Sequence, residues 1–237
     1  MTAKILIKND GTKYYIKDSS KDYHCKEGLI KSSELKKSKA KSNIGKEFSV
    51  FDASFIDDYS KIKRGAQIVS RKEIGLIVSE TGVNKESKIV DAGGGSGALS
   101  CYLAHLCKEV TTYEIREDFF NIVKHNKEFL DLKNLKVKNK DVKEINEKNV
   151  DLITLDLPDP WEAVPAVVKA LKKGGFLVSY SPSIPQVMDF VNQLPKELMH
   201  LKTIEIIERE WEIDGRKVRP KTRQLGHTGF LSFCRKI

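Results

Sequence analysis

Four acids stand where apolar stretches give way to turns: Asp91, Glu114, Asp141 and Asp156. Asp91 leads into "VDAGGGSGALS" (residues 90–100), where Gly93, Gly95 and Gly97 let the chain turn tightly and let a ligand lie against bare backbone. The helix expected after them points N–H groups at that ligand, from Ser96 through Gly97 and Ala98 to Leu99. Glu114 follows about twenty residues later, where a carboxylate accepts from ribose hydroxyls. Asp141 ends the next apolar stretch, placed to accept from an adenine amino group, with the Val142 N–H beside it. The spacing of Gly93, Gly95 and Ala98 also fits a dinucleotide fingerprint, and Glu114 or Asp141 alone is equally an ordinary strand-end or capping residue. In order, on successive strand ends, they describe a nucleoside site.

The fourth acid lies in "LDLPDPWE" (residues 155–162). Pro158 and Pro160 lack backbone donors and end the preceding apolar strand at once. The turn explains Asp159 as an N-cap and Pro160 as the first helical residue. It leaves Asp156 without a structural task, at the carboxyl end of a strand, where open α/β sheets place their ligands. Trp161 either walls a pocket or packs into the core. Further on, "RKVRPKTR" (residues 216–223) carries five basic residues in eight. It reads as a phosphate-holding segment or as a solvated loop.

These residues need a frame, and the pattern supplies an alternating one. Strands are expected at residues 88–90, 110–113, 135–137, 150–155 and 176–180. Helices are expected at residues 73–80, closed by Gly82, and at 98–106, 118–130, 162–171 (stopped by Gly174 and Gly175) and 184–194. Such alternation means a parallel, doubly wound α/β sheet, Rossmann-like in kind. Two late strands, residues 201–211 and 229–234, read as an antiparallel hairpin on its edge. Ahead of this domain, residues 4–7 and 14–16 flank Asn9-Asp10-Gly11 as a hairpin, and the lysine-rich stretch 31–46 reads as a long loop or arm. The domains expected are a small β-rich unit, residues 1–62, and a catalytic domain, residues 63–237.

The chain of 237 residues holds 42 Lys and Arg against 33 Asp and Glu, a net charge of +9. That excess favours a polyanionic partner, nucleic acid first. Four cysteines show no CxxC and no zinc spacing, so free buried thiols and no metal are expected. No run of about 18 apolar residues suggests a membrane span, and no signal-peptide pattern opens the chain, so a cytoplasmic location is expected.

The first motif, Asp91-x-Gly93-x-Gly95-x-Gly97, resembles that of class I S-adenosylmethionine-dependent methyltransferases. The chain as a whole resembles the tRNA (adenine(58)-N1)-methyltransferases, including the archaeal enzymes that also modify the neighbouring adenine. The resemblance rests on "RGAQIVSRKEIGLIV" (64–78), "DAGGGSGAL", "YEIRED" (113–118), "DLPDPW", "GGFLVSYSPSIPQV" (174–187), Arg219-Pro220 and "GHTGF" (226–230), in family order. It implies S-adenosylmethionine as donor, the tRNA T-loop as substrate and a homotetramer. It also implies a methionyl-binding loop from Gly93 to Leu99, Glu114 at the ribose, Phe119 near the adenine, Asp141 on its far side and Asp156 as the active-site aspartate. Where the family has an aromatic before Pro-Lys-Asp, this chain has Ser70-Arg71-Lys72-Glu73.

Adenine N1 attacks with an in-plane lone pair and needs no base. Asp156 is therefore expected to accept from the 6-amino group and stabilise the ring's developing positive charge. Arg219 and Arg223 are assigned to tRNA phosphates, and His227 to the substrate side as a residue bonding the loop that lines the pocket. The alternatives are a class I methyltransferase acting on another RNA base or a small molecule, a non-catalytic RNA-binding subunit, and a nucleotide-dependent oxidoreductase.

Overall fold

The computed structural model describes residues 3–65 and 68–237. Ala66 and Gln67, inside the 64–78 stretch, lie outside them. The chain divides into two compact units, Met1–Ile62 and Lys63–Ile237.

In the first unit, β1 (Lys4–Ile7) and β2 (Lys13–Ile16) form the expected hairpin, and the turn closes on Gly11 at φ +82°. A second hairpin, β3 (Tyr23–Cys25) and β4 (Gly28–Ile30), was not legible in the sequence. The lysine-rich stretch 31–46 is not a free arm. It holds a 3₁₀ turn at Glu34–Lys36 and the strand β5 (Lys39–Lys41), which pairs with β6 (Glu47–Asp52). The reason is two apolar residues among the lysines: Leu35 and Ala40 enter a core with Leu6, Ile16, Ile30 and Phe48. The sheet order is β2-β1-β6-β5, followed by α1 (Phe55–Tyr59), which Ser54 and Asp57 start as a capping box.

The second unit opens with α2 (Arg71–Thr81), ended by Gly82 in the left-handed conformation. Then strand and helix alternate: β7 (Lys88–Ala92), α3 (Ala98–Leu106), β8 (Glu109–Tyr113), α4 (Glu117–Phe129), β9 (Leu135–Lys138) and β10 (Val150–Leu155). A 3₁₀ turn, Pro160–Ala163, leads into α5 (Val164–Ala170), then β11 (Leu171–Ser181), α6 (Ile184–Asn192), β12 (Leu198–Glu205), β13 (Trp211–Asp214), β14 (Lys217–Pro220) and β15 (Phe230–Lys236). The seven-stranded order is β12-β15-β11-β10-β7-β8-β9, with β15 antiparallel to both neighbours. This is the Rossmann-like sheet expected from the alternation.

Two expectations need correction and one holds. The helix after Trp161 stops at Ala170, not at the glycines: Gly174 (φ +77°) and Gly175 lie inside β11, near a register shift against β10. The strand expected over 201–211 ends at Glu205, and Trp211 belongs instead to a separate two-stranded ribbon, β13–β14. The two late strands do pair antiparallel at the sheet's edge: β12 is outermost and runs against β15, which in turn pairs with β11.

The order of strands fixes where a ligand can sit. From β7 the chain runs outward to β8 and β9, then returns to β10 on the other side of β7. The switch point therefore lies between β7 and β10, which are in register from Leu152↔Ile89 to Leu155↔Ala92. Asp91 and Asp156 sit on either side of it.

Candidate active site

The glycine loop is held against the ends of its neighbouring strands. Gly93 and Gly94 N–H both donate to the Tyr113 carbonyl, at 3.1 and 3.0 Å. Gly93 has φ +81°, and a Cβ there would lie 2.0 Å from the Asp156 carbonyl oxygen. Gly95 and Gly97 are also left-handed, at +50° and +75°, and a Cβ on Gly97 would reach Val123 at 2.9 Å. One expectation fails: the Gly97 N–H is not available to a ligand, because it donates to the Gly94 carbonyl at 2.7 Å. Ser96 is buried, and its hydroxyl accepts from the Gly65 N–H at 2.9 Å. Ala98 and Leu99 begin α3 and, with Ser96, line a narrow cavity beside Asp91.

Each acid has its own environment. Asp91 is 2% exposed and, among the described residues, accepts from two hydroxyls, Thr112 at 3.0 Å and Thr154 at 2.7 Å. Burial raises its carboxyl to about 6, against the pull of those two bonds, and the nearby Glu114 charge adds to the rise. Glu114 accepts from the Gly95 N–H at 2.8 Å and the Arg116 N–H at 2.9 Å, so it braces the loop it faces. Arg116 also pairs with Glu114 at 3.2 Å and lays its guanidinium 3.8 Å from the Phe119 ring centroid. Phe119 is buried beneath that cation and does not line the wider cleft; Arg116 does.

Asp141 is a cap as well as a cleft residue: it accepts from the Lys143 N–H at 2.8 Å and starts the turn Val142–Glu144. Val142 is buried beside it. Asp156 is half-buried at the end of β10, and its N–H donates to the Ala92 carbonyl at 2.9 Å. Burial raises its carboxyl to about 7, with the Asp91 charge adding and Arg116 opposing. Among the described residues its side chain has no hydrogen-bond or ion-pair partner.

The remaining sequence candidates fall elsewhere. Asp159 stands at the N-cap position but makes no capping bond, since its backbone (φ −124°, ψ 69°) departs from cap geometry. Trp161 packs against the core. Arg219 lies on the exposed ribbon, where it donates to Glu212 at 2.9 Å, and Arg223 is exposed just beyond it. Residues 216–223 are thus partly strand rather than loop. His227 has both ring nitrogens engaged, with Glu205 at 2.6 Å and the Pro182 carbonyl at 3.0 Å. Both partners are acceptors, so both nitrogens must carry protons. The imidazolium is favoured, and the Glu205 bond raises its pKa.

Sequence reasoning missed Thr112, Thr154, Arg116 and Glu73. The threonines were readable as polar residues inside apolar strands. Glu73 was readable from Ser70-x-x-Glu73, a capping-box spacing. In the structure it is 1% exposed, starts α2 and accepts from the Thr228 hydroxyl, tying the GHTGF loop to the helix. Burial would raise its pKa, but the Ser70 and Thr228 bonds hold it below the ordinary value. Ser70 is therefore a helix cap where the resembled family has its aromatic.

Gly93, Gly95, Glu114, Asp141 and Asp156 line a cleft of about 530 Å³ in which Asp156 lies next to Gly93, while Asp91 faces the narrow cavity behind it. Bare backbone at Gly93 and Gly95, the carboxylates of Glu114 and Asp141 and the apolar Val142 give this cleft the mixed lining of a small-molecule site.

Comparisons with known proteins agree with that geometry. Residues 60–219 match the family described as the tRNA methyltransferase complex GCD14 subunit. A Methanocaldococcus jannaschii protein named tRNA (adenine(57)-N(1)/adenine(58)-N(1))-methyltransferase TrmI is 35% identical, covering 98% of this chain and 94% of that protein. A Thermus thermophilus protein named tRNA (adenine(58)-N(1))-methyltransferase TrmI is 30% identical, covering 83% of this chain and 80% of that protein. Among solved structures, a SAM-dependent O-methyltransferase from Thermotoga maritima is 28% identical at TM-score 0.86, covering 100% of this chain and 93% of that one.

Proposed function

The chain belongs to the GCD14 family of tRNA methyltransferases, and from that premise we propose that it methylates N1 of an adenine in the tRNA T-loop, at position 58, with position 57 as the second candidate. The donor is S-adenosylmethionine, which when bound supplies a methyl group on a positively charged sulfur. The observation that carries the reading is the Asp156 side chain: a carboxylate without a partner among the described residues, at the switch point of the sheet, beside a glycine cradle that a side chain would fill.

The donor fits the residues present. The cradle at Gly93 and Gly95 admits a small zwitterionic end, Glu114 suits ribose hydroxyls, and Asp141 with the Val142 N–H suits the donor's adenine. On the substrate side, Asp156 accepts from the 6-amino group of the target base and offsets the positive charge that grows on its ring. N1 attacks with its own lone pair, so no general base is required and the engaged imidazole of His227 is no obstacle. Much of the rate comes from positioning. The base must be splayed out of the tRNA elbow to reach the cleft, and Arg219 and Arg223 hold backbone phosphates while it does so. Assembly as a homotetramer in the cytoplasm completes the reading, and light scattering should return four chains per particle.

The deciding experiment is nucleoside analysis of tRNA after incubation with the protein and S-adenosylmethionine. 1-Methyladenosine at position 58 is the expected product. A methylated hydroxyl, another methylated base, or no product with cofactor bound would overturn the reading.

A further inference from the structure

The cleft contains an imbalance of charge. Among the described residues, its lining cations each have a carboxylate already: Arg116 pairs with Glu114, Lys140 with Glu144 and Lys143 with Glu162. Among the described residues Asp156 has no ion pair: Arg116 favours its charge from a distance but is engaged by Glu114, and Asp156 lines both the wide cleft and the narrow cavity behind Gly93. It also faces carboxylates from two neighbouring strands, Asp91 on β7 and Glu114 at the end of β8. On β11 the group nearest in charge is Tyr180, whose hydroxyl donates to the Thr228 carbonyl and is neutral, raised to about 12 by burial. What this corner of the site lacks is a positive charge supplied from outside.

Resting on the donor assigned above, we propose that the Asp156 carboxylate discriminates the cationic donor from its uncharged demethylated product, S-adenosylhomocysteine. Methyl transfer breaks the sulfur–methyl bond, forms the N1–methyl bond and moves the positive charge from sulfur to the adenine ring. The same carboxylate attracts the donor before transfer and the methylated ring after it. The spent cofactor then retains only the contacts that do not depend on charge, which favours its exchange. Donor binding favours the ionised carboxylate, whereas product binding is indifferent to its protonation.

Calorimetric titration with the two cofactors tests this on protein without tRNA. Between pH 6 and 8 the donor should tighten relative to the product by about tenfold, as expected for a group that titrates near 7 in the free protein. At pH 6 donor binding should release close to one proton, read from buffers of different ionisation enthalpy. The donor's own amino group titrates in both wild type and variant, so it cancels between them. Asp156→Asn should remove the carboxylate-dependent part of the tightening and leave product affinity unchanged, which also shows that the variant is folded. A donor-to-product ratio with the same pH course in wild type and Asp156→Asn overturns the proposal while leaving the methyltransferase reading in place. Failure of wild type to bind the donor at any pH overturns that reading instead.

Discussion

The cleft and the β13–β14 ribbon both carry carboxylates, and they treat them in opposite ways. Around the cleft, among the described residues, Asp91 in the cavity behind Gly93 has only hydroxyl partners and Asp156 has none, and burial lifts them to about 6 and about 7. On the ribbon, Glu212 accepts from Lys217 at 2.7 Å and Arg219 at 2.9 Å, Glu210 pairs with Lys221, and those bonds hold both glutamates below the ordinary range. A buried acid without a counter-ion keeps its charge in demand by a ligand. An exposed acid beside a lysine is already satisfied, at little gain in stability. The contrast also sorts the five basic residues of 216–223, because three of them are paired on the ribbon, while Arg216 and Arg223 have no ion pair among the described residues.

The largest effect should come from the unpartnered acid. Asp156→Ala should keep its fold and lose roughly 10²–10³ in turnover of 1-methyladenosine, the cost of removing one preorganised contact. Near-normal turnover would put Asp156 on the structural side of the contrast. Next comes Glu114→Ala, which should weaken S-adenosylmethionine by about 1.5–3 kcal/mol, the range for hydrogen bonds to a charged group. Unchanged affinity by calorimetry would remove Glu114 from the site.

On the ribbon, neutralising Arg223 should raise the Kd for tRNA and lower its salt slope by about 1. Arg219→Ala should do less, since its guanidinium is shared with Glu212. Equal effects would mean that the Glu212 pair opens when RNA binds.

A pH series separates the regions further. The His227 pKa is raised in the folded chain, so the clamp to Glu205 and Pro182 stabilises fully below the unfolded value of about 6.5 and is lost as pH rises through the folded one. Thermal unfolding of His227→Ala should therefore differ from wild type at pH 6 and converge with it in alkali. A constant difference would mean the ring acts by packing. The smallest effect is Asp159→Ala, expected within about 0.5 kcal/mol of wild type and with normal turnover, because this exposed acid makes no capping bond. A loss near 1 kcal/mol by denaturant titration would restore it as a cap.

What was legible in the sequence follows the same division. The parallel core and its four acids were readable because period, glycine spacing and strand ends are local signals: residues 98–106 were assigned as helix and α3 spans Ala98–Leu106. The ribbon was misread because Trp211 was run into the preceding strand and the basic stretch 216–223 says loop; Trp211, Ile213 and Val218 are 51%, 74% and 57% exposed, so no apolar face marks the two strands. Stretch 31–46 was misread because thirteen of its sixteen residues are polar or glycine, and of the three apolar ones Leu35 and Ala40 enter the core while Ile44 stays exposed. In the site, the unpartnered state of Asp156 depends on where Arg116, Lys140 and Lys143 spend their charges, and no spacing rule reports that. His227 depends on Glu205 and Pro182, brought together only by the insertion of β15.

The close approach at Gly93 has a use in reading other sequences. A methyl group on that residue would occupy the place of the Asp156 carbonyl oxygen, so the two motifs, sixty-three positions apart, are one mechanical joint. A homologous chain that retains "DLPDPW" but carries a side chain at the Gly93 position could not close the joint in this form, however intact its aspartate. In such a chain the glycine loop or the end of β10 has to move before the aspartate can take the place it has here.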